Sequence, residues 1–193
     1  KLVDKCLSLI KSLIVMIFIK SPLRITFGGG GTDLPSFYNQ NGGFLVSATI
    51  NKYVYINMYE PFKNYFFLKY STNEKVKKIQ DIKHPIIRKV FEKYMSSQEK
   101  LEIQVAADVP AGTGVGSSGA FTVALIKAIY SFQNRSIGHN ELAEKACQIE
   151  IEDLKRNVGK QDQYSSVFGG VNSFKFSKKG VFVQPLKISK PIL

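Results

Sequence analysis

The stretch Asp108-Val-Pro-Ala-Gly-Thr-Gly-Val-Gly-Ser-Ser-Gly-Ala120 sets four glycines and three hydroxyls between an apolar strand-like run and a strongly apolar helical pattern. Glycines let backbone N–H groups close around phosphate oxygens, and a helix N-terminus adds unpaired donors and the positive end of a dipole. Pro110, Gly112, Gly114, Gly116, Ser117, Ser118 and Gly119 are therefore the nucleotide-contacting candidates. The chemistry they suit is the binding of a nucleoside triphosphate.

Spacing separates the phosphate loops that could account for this stretch. A P-loop needs Lys-Ser or Lys-Thr after its last glycine, whereas Gly116 is followed by Ser117-Ser118 and no lysine occurs before Lys127. Gly114-Val-Gly116-Ser-Ser-Gly119 does fit G-x-G-x-x-G. A dinucleotide fold, however, requires a second strand after the helix with an acidic residue about 20 positions on. Here the chain enters another helical pattern over residues 140–156 instead. The run from Pro110 to Ala120 resembles the P-x-x-x-G-L-G-S-S-A-A signature of the GHMP small-molecule kinases, with Val115 for Leu and Gly119 for Ala.

A second group of residues lies where Arg24-Ile-Thr-Phe runs into Gly28-Gly-Gly-Gly31-Thr32-Asp33. Glycines at a strand end admit a ligand close to the backbone. Read by itself, the segment is equally a flexible turn with Asp33 capping the residues that follow. Beside the paired-serine loop it resembles the first motif of sugar-specific GHMP kinases, which implies that Gly30, Gly31, Thr32 and Asp33 face a sugar. Galactokinases carry Gly-Glu-His before Thr-Asp. This chain has Gly29-Gly30-Gly31 and is similar instead to the branch acting on heptose phosphates.

The third group is Glu150 with Asp162, the latter within Gly159-Lys-Gln-Asp-Gln163. Phosphoryl transfer to an alcohol uses one carboxylate to accept the hydroxyl proton and another to hold Mg²⁺ between phosphates. From residue types alone, Glu150 is also a solvated neighbour of Glu152 and Asp153, and Asp162 a helix cap. The resemblance implies more definite roles. Asp162 is the catalytic base, with Arg24 beside it favouring its ionised form; Ser118 and Glu150 hold Mg²⁺; ATP is the donor. The implied acceptor is the C1 hydroxyl of a heptose 7-phosphate, in a route to nucleotide-activated heptose for surface polysaccharide. It also implies a second, C-terminal domain that supplies part of the substrate wall and the cleft closure, expected to be missing here, and a homodimer is the other expected partner.

Composition narrows the alternatives. With 193 residues, 44% hydrophobic and 12% aromatic, the chain supports one packed core. Cys6 and Cys147 have no paired spacing, so neither a disulfide framework nor a zinc site is expected, and the setting is read as reducing and cytoplasmic. His84 and His139 are the only histidines, which argues against histidine-based catalysis. The formal net charge is +12, and residues 63–100 hold ten Lys or Arg against four carboxylates. Such a surface could attract RNA, but no aromatic-interleaved RNA motif accompanies it, so a solvated lysine-rich face is preferred and no nucleic-acid partner is expected.

The apolar run over residues 7–19 covers 13 positions, short of the roughly 20 that a spanning helix needs, and no membrane segment is expected. Residues 1–15 read as an extension ahead of a start at Met16, with a single domain over residues 16–193.

Positioning these groups takes strands over residues 17–27, 44–50, 53–59, 65–70 and 101–107, helices over 85–95, 118–132 and 140–156, and a closing hairpin turning at Lys178-Lys179-Gly180. Residues 118–132 are apolar almost all round and belong at the centre. The expected fold class is α+β: a two-layer mixed sheet with helices on one face.

Overall fold

A computed structural model describes residues 16–61, 64–95 and 100–188. Seven strands form one mixed sheet: β1 (Ile17–Gly28), β2 (Gly43–Tyr59), β3 (Phe66–Lys69), β4 (Asn73–Val76), β5 (Glu102–Ala107), β6 (Val171–Ser177) and β7 (Gly180–Pro185). Five α-helices accompany them: α1 (Pro35–Asn41), α2 (Pro85–Tyr94), α3 (Ser117–Phe132), α4 (His139–Cys147) and α5 (Gln161–Phe168).

The order β4-β3-β5-β2-β6-β7 is antiparallel except for β3 on β5, and β1 pairs with β2 outside this path. Because β3 and β5 are parallel, the chain between them must cross over, and α2 makes that crossover.

The two strands expected at 44–50 and 53–59 form one 17-residue strand. Asn51-Lys52 read as a turn because both side chains are polar, but their neighbours on either side are held in register by β1. The N-terminal half of β2 pairs with β6 and its C-terminal half with β5. Where the two part, Asp108 N donates to Tyr53 O and Thr49 N donates to Gly170 O. The segment leaving β5 and the segment entering β6 thus start from one point on β2.

α3 matches its reading as the central helix. Its residues from Gly119 to Ile126 are buried on every side, and the core they join includes Leu23, Val54, Ile56 and Met58 from the sheet and Ile87, Val90 and Phe91 from α2. α2 is amphipathic; Ile86, Ile87, Val90 and Phe91 face inward, and His84 Nδ1 accepts from Ile87 N to cap it. On the opposite face of the sheet Phe18, Phe27, Phe44 and Phe182 remain exposed, so the helices do lie on one side.

The helix expected over residues 140–156 is divided. α4 ends at Cys147 and a wide π turn, Gln148–Asp153, follows. Apolar spacing continues through this turn, which hid the break. Asp33 does not cap α1, which is preceded by Leu34 and has no side-chain cap. The extension at residues 1–15 lies outside the described residues. No helix of the described residues is long and apolar enough to cross a membrane.

Core packing predicts the effect of truncating α3. Ile126 is fully buried. Ile126→Ala should lower unfolding free energy by about 2–5 kcal/mol, from lost burial plus the cavity left behind, as read by urea denaturation.

Candidate active site

The loop between β5 and α3 is shaped by three glycines at alternate positions, Gly112, Gly114 and Gly116, all with left-handed φ of +76 to +84°. Side chains disfavour that conformation, and it turns successive N–H groups toward a common point. Gly116 leads directly into α3, so the loop and the helix N-terminus meet at one place, an arrangement suited to an anion. The Ser117 Oγ is buried and, among the described residues, has no hydrogen-bond partner. A buried hydroxyl left unpaired beside such a loop is a donor that a phosphate oxygen would satisfy.

Arg24 ties this loop to the catalytic candidate. Its backbone N donates to Val115 O at 3.0 Å and its Nη1 to Gly114 O at 2.8 Å. Its Nε and Nη2 both donate to Asp162 Oδ1, at 2.8 and 2.5 Å. Asp162 sits in the first turn of α5, and a Cβ built on Gly116 would lie 3.2 Å from its carboxyl carbon. The carboxylate therefore faces the phosphate loop. Burial pushes its pKa above the usual carboxylate range, with Arg24 opposing but not cancelling that effect. The expectation that Arg24 favours the ionised form gives the right sign for its contribution, but desolvation is larger.

Gly119 explains how the two come so close. A Cβ at this position would stand 2.5 Å from Asp162 Cβ and 3.1 Å from Asp162 C. The departure from Ala in the loop signature is thus where α3 and α5 make backbone-level contact.

Ser118 and Glu150 also meet, 32 residues apart in sequence. Ser118 Oγ donates to Glu150 Oε2 at 2.5 Å, and Gln163 Nε2 donates to Glu150 Oε1 at 2.9 Å. Glu150 is 1% exposed, so it is not the solvated residue its neighbours suggested. Arg156, which no motif singled out, donates to both Ser118 Oγ and Glu150 Oε2. The donor set fits a divalent cation, since a positive group already rests on these two oxygens. Among the described residues no three carboxylate, His or Cys groups cluster, so a metal here would take further ligands from phosphates.

The sugar-facing candidates are placed differently from the phosphate loop. Thr32 Oγ1 donates its single hydrogen to Gly29 O at 2.7 Å or to Phe44 O at 2.9 Å and accepts from Phe44 N, bracing the Gly28–Asp33 turn against β2. Asp33 is 6% exposed and its Oδ2 accepts from Gln161 N at 3.0 Å. Gln161 Nε2 in turn donates to Thr26 Oγ1. These contacts fix the start of α5 one residue before Asp162. Gly30 and Gly31 remain exposed at the turn.

Beside the loop lies a cleft of about 820 Å³, walled by Tyr70, His84, Ile86, Val105, Val109 and Phe121 and reaching Arg24, Ser117, Arg156 and Asp162. Its size suits a nucleotide. Burial lowers the His84 pKa, so an uncharged imidazole packs between the Tyr70 and Phe121 rings. The strand and helix that bring these residues together were legible, but the wall itself carries no motif.

A glycine-rich loop leading into a central helix on a mixed α+β domain, with an Arg-paired aspartate against it, is the arrangement of a GHMP kinase N-terminal domain. Residues 78–170 match the family described as GHMP kinases N terminal domain, a stretch that includes the glycine-rich loop, α3 and α5. A D-glycero-alpha-D-manno-heptose 7-phosphate kinase of Campylobacter jejuni is 32% identical over 181 residues, covering 88% of this chain and 53% of that protein. A galactokinase of Thermotoga maritima is 29% identical, over 78% of this chain and 43% of its own length. The crystal structure of a D-glycero-D-manno-heptose 1-phosphate kinase from Bacteroides thetaiotaomicron superimposes with a TM-score of 0.83 at 28% identity, over 92% of this chain and 62% of that one. The chain spans about half the length of the curated relatives it matches.

The contact at Gly119 yields a direct test. Gly119→Ala should push Asp162 off Arg24 and lower turnover at least tenfold while leaving nucleotide affinity within about threefold, because the loop amides are untouched. Paired kinetics and calorimetry measure both quantities.

Proposed function

We propose that the protein transfers the γ-phosphoryl group of ATP to the C1 hydroxyl of a heptose 7-phosphate, giving the 1,7-bisphosphate and ADP. The observation that carries this reading is the position of the Asp162 carboxylate, against the phosphate loop and held through one oxygen by Arg24. Asp162 Oδ2 receives no hydrogen bond from the described residues and remains an acceptor.

Loop amides of residues 112–119 hold the triphosphate, and Ser117 Oγ adds a donor. Asp162 accepts the acceptor's hydroxyl proton as the new O–P bond forms and the bond to the ADP oxygen breaks. A carboxylate with a raised pKa is a stronger base than a free aspartate, which suits proton abstraction from an alcohol. Arg24 steadies that carboxylate and lies where charge develops on the transferring group. Ser118 and Glu150 would hold Mg²⁺, which supplies charge neutralisation between phosphates when bound. The apolar wall around His84 and Phe121 takes the base.

The heptose assignment rests on the Gly-rich turn before Thr32-Asp33 and on the similarity to the Campylobacter enzyme. The galactokinase similarity supports a second reading, another sugar as acceptor at the same site.

Asp162→Asn should reduce turnover by about 10²-fold or more, the scale of a general-base contribution, without changing ATP affinity. A phosphoryl-transfer assay across heptose 7-phosphate, galactose and other sugars identifies the acceptor; preference for galactose would replace the heptose assignment, and no transfer to any sugar would end the kinase reading.

Acid titration offers an independent check. Asp162 works only when ionised, so kcat/KM should fall as pH drops through its pKa. Removing the opposing positive charge in Arg24→Gln raises that pKa further, and the acid limb should move to higher pH.

A further inference from the structure

Arg156 reaches the site by an unusual backbone path. The π turn Gln148–Asp153 is followed by Lys155 at a left-handed φ of +50°, rare for a non-glycine residue. That reversal returns the chain so that Arg156 N donates to Glu150 O at 3.0 Å. Its Nη1 then donates to Ser118 Oγ at 2.5 Å and to Glu150 Oε2 at 2.8 Å. The guanidinium contacts the two oxygens that the proposed function gives to the metal. Glu150 is 1% exposed and the Arg156 side chain 41%, so the anion lies inside and its counter-charge stands at the cleft mouth with solvent on its outer side.

We infer that Arg156 is a resident counter-cation occupying the divalent-metal position, and that metal enters by displacing it. The inference rests on the Ser118 and Glu150 ligand assignment above. Glu150 is buried with few other partners, and an unpaired buried carboxylate is costly, so a cation of the protein's own keeps the site balanced until nucleotide arrives. It also keeps free metal out. A cation delivered with a triphosphate can compete, because the phosphates add ligands and attract the displaced guanidinium. The strained turn at Lys155 is explained by this task, since a relaxed turn would not bring Arg156 back over Glu150.

The test needs neither turnover nor nucleotide. Mn²⁺ binding to nucleotide-free protein is measured by electron paramagnetic resonance for wild type, Arg156→Gln and the double variant with Glu150→Gln. At least tenfold tighter binding in Arg156→Gln, lost in the double variant, is expected. Equal Mn²⁺ affinity in wild type and a folded Arg156→Gln protein overturns the inference.

Should Arg156→Gln not fold, wild-type crystals with Mn²⁺ and a non-hydrolysable ATP analogue decide. Metal on Ser118 and Glu150 with the guanidinium moved off supports displacement; metal bound there with the Arg156 contact to Glu150 Oε2 intact refutes it. Failure of the analogue to bind at all would count against the kinase reading and not against this one.

Discussion

Arg24 is the constraint on which the site depends. One side chain on β1, a strand that pairs only with β2, reaches a loop carbonyl with one nitrogen and the Asp162 carboxylate with two others, while its own backbone N–H binds the loop as well. Lysine could not replace it, because a single ammonium cannot hold a fixed fork across two elements. The phosphate loop, β1 and α5 are therefore placed relative to one another by a single planar group. Its charge also moderates the desolvation that burial imposes on Asp162. Position comes from Arg24, whereas the raised basicity comes from burial, which Arg24 tempers.

Around that group the fold supplies close approaches that only small residues permit. Gly119 lets α3 and α5 touch, and Gly159 lets the Asp33 carboxylate lie where any Cβ would stand, 1.9 Å from Oδ2. Asp33 then binds Gln161 N, which fixes the first residue of α5. The Gly28–Asp33 turn thus bears on Asp162 through the backbone it positions. The site is rigid on its protein side and open toward solvent.

Much of this was legible from residue types. The glycine and serine spacing marked the loop before α3 and the apolar run marked α3 as central, whereas positions 150 and 162 stood out only through the family resemblance, since residue types alone left a solvated Glu150 and a capping Asp162 open. The interruption after Cys147 was not legible, because a π turn keeps the apolar stripe going while shifting the helix by one residue. Nor was Arg156, since its role comes from a left-handed residue before it and from Ser118 far away in sequence. Short β4 also escaped notice: Asn73–Val76 is polar, and it pairs because Glu74 is buried and accepts from Tyr70 Oη and from the backbone N–H groups of Lys83 and His84. Long-range pairings of this kind leave no local signature.

The forked strand β2 carries a consequence for how the protein acquires its shape. Its first half waits for partners 171–176, more than a hundred residues later, while its second half is matched by β1 and β5 much earlier. Distant pairings close slowly because chain entropy must be lost before any contact compensates. On a ribosome emitting the N-terminus first, residues 43–48 would emerge with one edge waiting for β6. The exposed aromatic Phe44 sits in that waiting stretch, so the N-terminal half of β2 is the part of the sheet whose second edge stays open until nearly the whole domain has been made.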